Sequence, residues 1–223
     1  MQVAPRLYLV TPPIEDAAAF APALEAALAA GDVAAVLLRL AGADERTLIN
    51  RAKALAPAVQ RRDVALILDG HAELAARAGA DGAHLFGPQA FAAALPHLKP
   101  DRIAGAGGLR SRHDAMLAAE NGADYVMFGE PAKFVQTPGQ AGRRAPFAEI
   151  LERLSWWAEL FEVPCVGYAA DLDETPALGH TGADFIALGE WVWNEPQGIA
   201  ATIAAAAELL TSAPAKAGAG DHA

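Results

Sequence analysis

The chain has 223 residues, 53% of them hydrophobic, a single cysteine and a formal charge of −10. The acidic balance argues against nucleic acid or an anionic membrane as a partner, because both need a basic footprint, and the lone Cys165 excludes an internal disulfide or a multi-cysteine metal site. No apolar run approaches the roughly 20 residues of a membrane span, and no secretory leader pattern precedes Arg6, so one cytoplasmic domain that takes a small-molecule metabolite is expected, with a homo-oligomer left open.

Leu7 to Val10 is a short apolar run stopped by Thr11, Pro12 and Pro13, which reads as a first strand entering a loop. Ala17 to Ala30 has helical spacing, with Phe20, Leu24 and Leu28 on one face. Val33 to Arg39 is almost unbroken apolar sequence, the pattern of a strand buried on both faces of a parallel sheet. A helix from Glu45 to Gln60, a strand from Val64 to Leu68 and a short helix from Ala72 to Ala78 follow. Next come a strand over Gly82 to Leu85, a helix near Pro88 to Leu98, a strand from Arg102 to Ala106, and a helix from Ser111, its cap, to Asn121. After the strand Tyr125 to Phe128, the segment Lys133 to Ala145 is a loop rich in Gly, Pro and polar residues, of a length that usually serves function. Phe147 to Phe161 reads as a helix, Val163 to Tyr168 as a strand, Asp173 to Thr181 as a helix, Phe185 to Leu188 as a strand and Trp191 to Leu210 as the last helix.

One cassette recurs through this order. NGADYVMFGEP at Asn121 to Pro131 is echoed by GADGAHL at Gly79 to Leu85, by GADFIALG at Gly182 to Gly189 and, more loosely, by GDVAAVLLR from Gly31. Each copy follows an alanine-rich helical pattern, so one supersecondary unit is reused. Eight strands alternating with eight helices predict an α/β fold of the (β/α)8 TIM barrel type over residues 1–210, with a disordered tail at 211–223; an open doubly wound sheet is the alternative. In such barrels the site lies on the loops after the strands, at the C-terminal face.

Arg39 ends a buried strand, where a charge must meet either a ligand anion or a structural carboxylate such as Asp69 or Glu130. Asp69 and His84 are the candidate catalytic groups, with His71 a further acid or base; each His also has an ordinary packing role open to it. The run GAGGLRSR, Gly105 to Arg112, presents glycines, Arg110, Arg112 and a helix start to an anion. Lys133 is a loop cation, and Trp191 and Trp193 stand either against an aromatic ligand or in packing. No metal ligand set is assigned.

At these strand ends the sequence resembles the thiamine-phosphate synthase and TenI-like family, over nearly the whole barrel. The resemblance is carried by LYLVT at Leu7 to Thr11, VLLR at Val36 to Arg39, LDGHAELAARAGADGAHL at Leu68 to Leu85, NGADYVMFGEP, and PCVGYAADL followed by TGADFIALG. It implies a barrel in which hydroxymethylpyrimidine diphosphate is joined to a thiazole phosphate, with loss of pyrophosphate and with help from Mg2+. Several positions depart from that pattern. Leu37 and Ala41 stand where the family carries Gln and Lys, Asp69 aligns with either the family's Asn or its Asp, and Gln89 takes a second acidic position. Gly107 takes a serine position, Ala169 and Ala170 replace a Gly-Gly pair, and Glu190 follows Gly189 where a phosphate meets a helix start. The candidate ligand-binding residues are therefore Arg39, Gly107, Arg110, Glu130, Lys133, Gly167 and Gly189, with Mg2+ expected only alongside a bound ligand. The expectation is a mouth for a small phosphorylated or heteroaromatic metabolite of thiazole or pyrimidine type, with ordinary synthase chemistry weakened. The alternatives are an active synthase and a non-catalytic binding barrel.

Overall fold

The structure is a computed structural model that describes residues 4–131 and 144–212. Eight strands, β1 (Arg6–Val10), β2 (Val33–Leu38), β3 (Ala65–Asp69), β4 (Gly82–Phe86), β5 (Ile103–Gly107), β6 (Tyr125–Phe128), β7 (Cys165–Ala169) and β8 (Phe185–Leu188), close in sequence order into one barrel. Every neighbouring pair is parallel, and β8 returns to β1 through Arg6↔Phe185 and Leu9↔Leu188. The predicted (β/α)8 barrel is thus the observed one. Its helices are α1 (Ala17–Ala29), α2 (Glu45–Gln60), α3 (Ala72–Ala78), α4 (Pro88–Leu98), α5 (Arg112–Glu120), α6 (Phe147–Leu160), α7 (Thr175–Gly179) and α8 (Ile199–Ser212).

Alternation along each strand divides the apolar residues into two cores. Leu7, Leu9, Val36, Leu66, Leu68, Val126 and Cys165 face outward beneath the helices, where Leu24, Leu55, Phe91, Leu154 and Trp157 meet them. Tyr8, Val10, Leu37, Ile67, Tyr125, Met127, Val166 and Tyr168 point inward and fill the barrel. Gly105 has no side chain because the Tyr125 ring occupies that place. A packed interior leaves chemistry to the strand ends.

Three of the four cassette copies share one physical job. Asp81 accepts the Leu66 N–H of β3 at 2.7 Å, Asp124 the Ala104 N–H of β5 at 2.7 Å, and Asp184 the Cys165 N–H of β7 at 2.8 Å. Each aspartate ties the residue before its own strand to the start of the preceding one, at the N-terminal end of the barrel. The Asp is therefore a staple and not a surface residue of no consequence.

Helix starts follow the capping logic of the sequence: Asp16 and Asp44 accept first-turn N–H groups, and Ser111 with Asp114 forms a capping box on α5. The expected helix Trp191–Leu210 is corrected. A 3-10 turn spans Glu190–Asn194, the chain breaks at Pro196 and Gly198, and α8 starts at Ile199. Gly198 has φ +87°, a conformation that ends one segment before the next begins. The helix expected over Asp173–Thr181 narrows to Thr175–Gly179, and α8 continues through Thr211 and Ser212, which the sequence assigned to the tail. Residues 213–223 lie outside the described residues.

Candidate functional site

The C-terminal ends of the strands bring Arg39, Asp69, His84, Gly107, Glu130, Ala169 and Gly189 around one mouth. Three polar clusters line it, and each is built from elements far apart in sequence.

The first joins β2, β3 and the turn after β8. The Arg39 Nε–H donates to Asp69 Oδ2 at 3.1 Å, and its Nη1 pairs with Glu190 Oε1. These side chains keep 14%, 24% and 23% of their surface in solvent, so the cluster is partly wet and reachable from the mouth. The Arg39 backbone N–H donates to Thr11 Oγ1 at 3.0 Å, which fixes the strand end that carries the guanidinium. Beneath it Tyr168 extends under Gly189, where any side chain would meet the Tyr168 hydroxyl and ring. Burial, with Glu190 nearby, holds the Tyr168 phenol well above its usual range.

The second cluster is buried. Tyr8 and Tyr125 join hydroxyls at 2.8 Å, Tyr125 meets His84 Nδ1 at 2.9 Å, and His84 Nε2 lies 3.4 Å from Glu130 Oε1. Since a carboxylate only accepts, this chain is satisfied when Nε2 carries the proton, Tyr125 donates to Nδ1 and Tyr8 donates to Tyr125. Glu130 Oε1 also accepts the Gly108 N–H at 3.1 Å. Burial raises the Tyr8 and Tyr125 phenols far above their ordinary values. The arrangement can hold a proton at the mouth, on the His84–Glu130 pair, with both tyrosines staying neutral behind it. Gly107 is what makes it fit: a side chain there would land on Glu130 Oε1 and His84 Nε2. The His84–Glu130 contact thus requires a glycine at 107, because no side chain fits over that pair.

The third cluster was not foreseen. Arg144 donates to Gly129 O at 2.7 Å and Tyr168 O at 3.0 Å, and binds both Glu174 oxygens at 2.7 Å, bracing the ends of β6 and β7. Glu174 Oε2 also accepts the Ala170 N–H at 2.8 Å. The backbone donor that follows β7 is therefore already filled by a carboxylate of the chain itself. The sequence signal for it was an Arg at the end of the Gly-rich loop Lys133 to Ala145 and a Glu just before α7, neither of which names its partner.

The other candidates sort plainly. In the run Gly105–Arg112 the Arg110 and Ser111 N–H groups go to Asp114 Oδ2 at 3.0 and 2.9 Å. Arg112 pairs with Glu152 at 2.6 Å and lies over the Trp156 ring, while the Arg110 residue is exposed. Gly167 lies where a side chain would meet Leu154, Leu178 and Ile186, so it serves close packing of α6 and α7 on β7. The Trp191 indole donates to Ala169 O at 3.1 Å and that of Trp193 to Val10 O at 2.8 Å, with Phe20 against the Trp193 ring. Both tryptophans brace strand ends. His71 has φ +41° and its Nδ1 lies 3.6 Å from Glu73 Oε1. Lys133 lies outside the described residues.

The implied Mg2+ does not fit the donors present. Asp69 is committed to Arg39, Gln89 is an exposed neutral residue at the start of α4, and among the described residues no three His, Cys, Asp or Glu side chains are grouped to hold a metal ion.

A closed parallel barrel whose polar side chains converge at the C-terminal strand ends defines a TIM-barrel protein. A family model described as thiamine monophosphate synthase matches residues 7–192, and the chain belongs to that thiamine-phosphate synthase and TenI-like family. It is 46% identical over 206 residues to a protein of Rhodospirillum centenum named thiamine-phosphate synthase, covering 89% of this chain and 94% of the relative. A protein of the same name from Hyphomonas neptunium is 39% identical over 214 residues, covering 93% and 94%. Among solved structures, thiamine phosphate pyrophosphorylase of Pyrococcus furiosus superposes with a TM-score of 0.75 at 22% identity, over 93% of this chain and 96% of that one, a likeness of fold. No helix of the described residues is long and apolar enough to cross a membrane.

Proposed function

We propose that this barrel binds a thiazole- or pyrimidine-type heteroaromatic metabolite of thiamine biosynthesis at its C-terminal mouth, and that its capacity for the ordinary synthase reaction is strongly reduced. The observation that carries this reading is the engagement of Arg39 by both Asp69 and Glu190. Departure of a diphosphate needs cations aimed at the developing charge, and loss of one such donor typically costs about a hundredfold or more in rate. Here the strand-end guanidinium is neutralised twice over, Ala41 and Gln89 supply no charge, and the donor after β7 is closed by Glu174. What remains chemically is the His84–Glu130 pair, suited to holding a proton, beside a partly wet cluster that presents Asp69 and Glu190 to a ring nitrogen or amino group.

A second reading, an active synthase joining the pyrimidine diphosphate to the thiazole phosphate, is favoured by the relatives named thiamine-phosphate synthase at 46% and 39% identity over most of the chain. A coupled pyrophosphate-release assay with both synthase substrates and Mg2+ separates the two, run beside calorimetry with each precursor. Binding of a precursor without pyrophosphate release supports the first reading. Turnover abolished by Arg39→Ala supports the second, and no binding of any precursor overturns both.

A further inference from the structure

In the arrangement that satisfies every member, one line of hydrogen bonds in the barrel has a direction. Tyr8 donates to Tyr125 at 2.8 Å, Tyr125 donates to His84 Nδ1 at 2.9 Å, and the Nε2–H of His84 faces Glu130 Oε1 at 3.4 Å. Each group gives its one O–H or N–H to the next, so the line ends on a carboxylate, which only accepts. Its outer end is buried: the His84 side chain keeps 3% of its surface in solvent and that of Glu130 keeps 5%. Glu130 Oε1 takes a second donor as well, the Gly108 N–H at 3.1 Å. The carboxylate is thereby fixed by one oxygen, and among the described residues its other oxygen, Oε2, accepts nothing. The floor beside it is bare. A side chain at Gly107 would strike Glu130 Oε1 and His84 Nε2, and one at Gly108 the ring of Phe86, so the two glycines bring bare backbone against the carboxylate and against the half-buried Phe86 ring.

We propose that Glu130 is a specificity-determining residue that reads the ligand's ring through Oε2, and that the ring it selects is an aminopyrimidine and not a thiazole. The inference rests on the functional reading above and narrows it. A carboxylate oxygen answers only to an N–H or O–H; the aminopyrimidine carries an exocyclic amino group, and the thiazole ring carries no N–H. A buried acceptor facing a ring without a donor loses the hydrogen bonds that water gave it, which is how a site built around one polar group rejects an analogue that lacks the partner. An apolar wall of the kind Phe86 offers suits the flat face of either ring, so the carboxylate and not the wall supplies the discrimination. His84 and Tyr125 act through Glu130 and are positioning residues. Because Tyr125 fills Nδ1, the proton of His84 is kept on Nε2, and that proton holds Oε1 so that Oε2 is the oxygen left for the ligand.

The test is isothermal titration of the full chain with hydroxymethylpyrimidine, with an analogue that carries an oxo group in place of the amino group, and with the thiazole phosphate. The unmodified protein is expected to prefer the amino compound over the oxo compound roughly tenfold, the effect of one hydrogen bond to a charged group. In Glu130→Gln the amide oxygen must stay on the Gly108 and His84 donors, which turns the amide NH2 to the place of Oε2. That variant is expected to lose roughly tenfold in affinity for the amino compound and to bind the oxo compound more tightly than the unmodified protein does, a gain that damage to the fold does not produce. Tyr125→Phe releases His84 Nδ1 and is expected to narrow the amino-over-oxo preference roughly threefold, the effect of a hydrogen bond between neutral groups, where a purely structural loss weakens both compounds alike. No preference for the amino compound in the unmodified protein, or an unchanged preference in a folded Glu130→Gln variant, overturns the inference and leaves the functional reading standing. Binding of the thiazole phosphate alone does the same. An unchanged preference in folded Tyr125→Phe overturns the part assigned to Tyr125 and His84. Failure of the unmodified protein to bind any of the three compounds overturns the functional reading and this inference together.

Discussion

The two ends of the barrel use carboxylates in opposite ways. At the N-terminal end Asp81, Asp124 and Asp184 repeat one device, each accepting an N–H from the first or second residue of the preceding odd-numbered strand at 2.7 to 2.8 Å. At the C-terminal end Asp69 and Glu190 share the Arg39 guanidinium, Glu130 meets an imidazole and a loop N–H, and Glu174 meets a second guanidinium and a loop N–H, with no shared register. What repeats builds the barrel. What does not repeat shapes the mouth, and the difference explains why a strongly periodic sequence conveys architecture so well and ligand so poorly.

That contrast can be broken at either end. The largest effect is expected from Gly107→Ser, which drives a side chain into His84 and Glu130; overpacking and the displaced buried hydrogen bonds together are expected to cost about 3 kcal/mol, read as a lowered urea midpoint at unchanged slope. Asp184→Ala removes a staple and leaves the Cys165 N–H without its acceptor, a loss of about 2 kcal/mol. Ligand affinity, measured by calorimetry on the folded fraction, is expected to stay within twofold, since the change lies at the far end.

A graded effect follows from pH. Burial pushes the Cys165 thiol up to about 12, with Asp184 adding to the rise, and the Tyr8, Tyr125 and Tyr168 phenols are raised by burial as well. A group whose folded value is raised is protonated in the fold after the unfolded chain has released its proton. Its stabilising contribution is complete below the unfolded value and shrinks as pH rises. Above about pH 8.5 for the thiol and about pH 10 for the phenols, stability is expected to fall by about 1.4 kcal/mol per pH unit for each group engaged. Thermal unfolding midpoints between pH 7 and pH 11 measure this, and a flat profile would contradict the burial of these four groups. The smallest stability change is expected at the mouth: Asp69→Asn, on a side chain partly in solvent, is expected to shift stability by under about 1 kcal/mol and yet weaken ligand binding about tenfold.

Much of the fold was legible in the sequence because strands buried on both faces leave continuous apolar runs, and because a turn signal follows each one. The break in the last helix was visible in Pro196 and Gly198 but lost to the apolar sequence on either side. At the site, local reasoning placed Arg39, Asp69, His84, Gly107 and Glu130 at the mouth, and it required Arg39 to meet either a ligand anion or a carboxylate such as Asp69 or Glu130. Asp69 is a partner; Glu190, 151 residues away and not anticipated, is a second, and Glu130 turns to His84 instead. Tyr8 and Tyr125, 117 residues apart, escaped notice because nothing in either strand announces the other. Their only advance signal is parity: each sits at an inward-facing position of a strand whose neighbours point to the helices. Glu174 and Arg144 gave no such sign, since the loops that carry them have no period to read.

Whether the mouth still performs the synthase reaction is the most direct question to put to this protein. Expression of the chain in a bacterium that lacks its own thiamine-phosphate synthase, on medium without thiamine, is expected to give no growth at protein levels where a competent synthase restores it. Full growth that is lost with Arg39→Ala would contradict the account, because it would mean that Arg39 leaves Asp69 and Glu190 to serve a departing diphosphate.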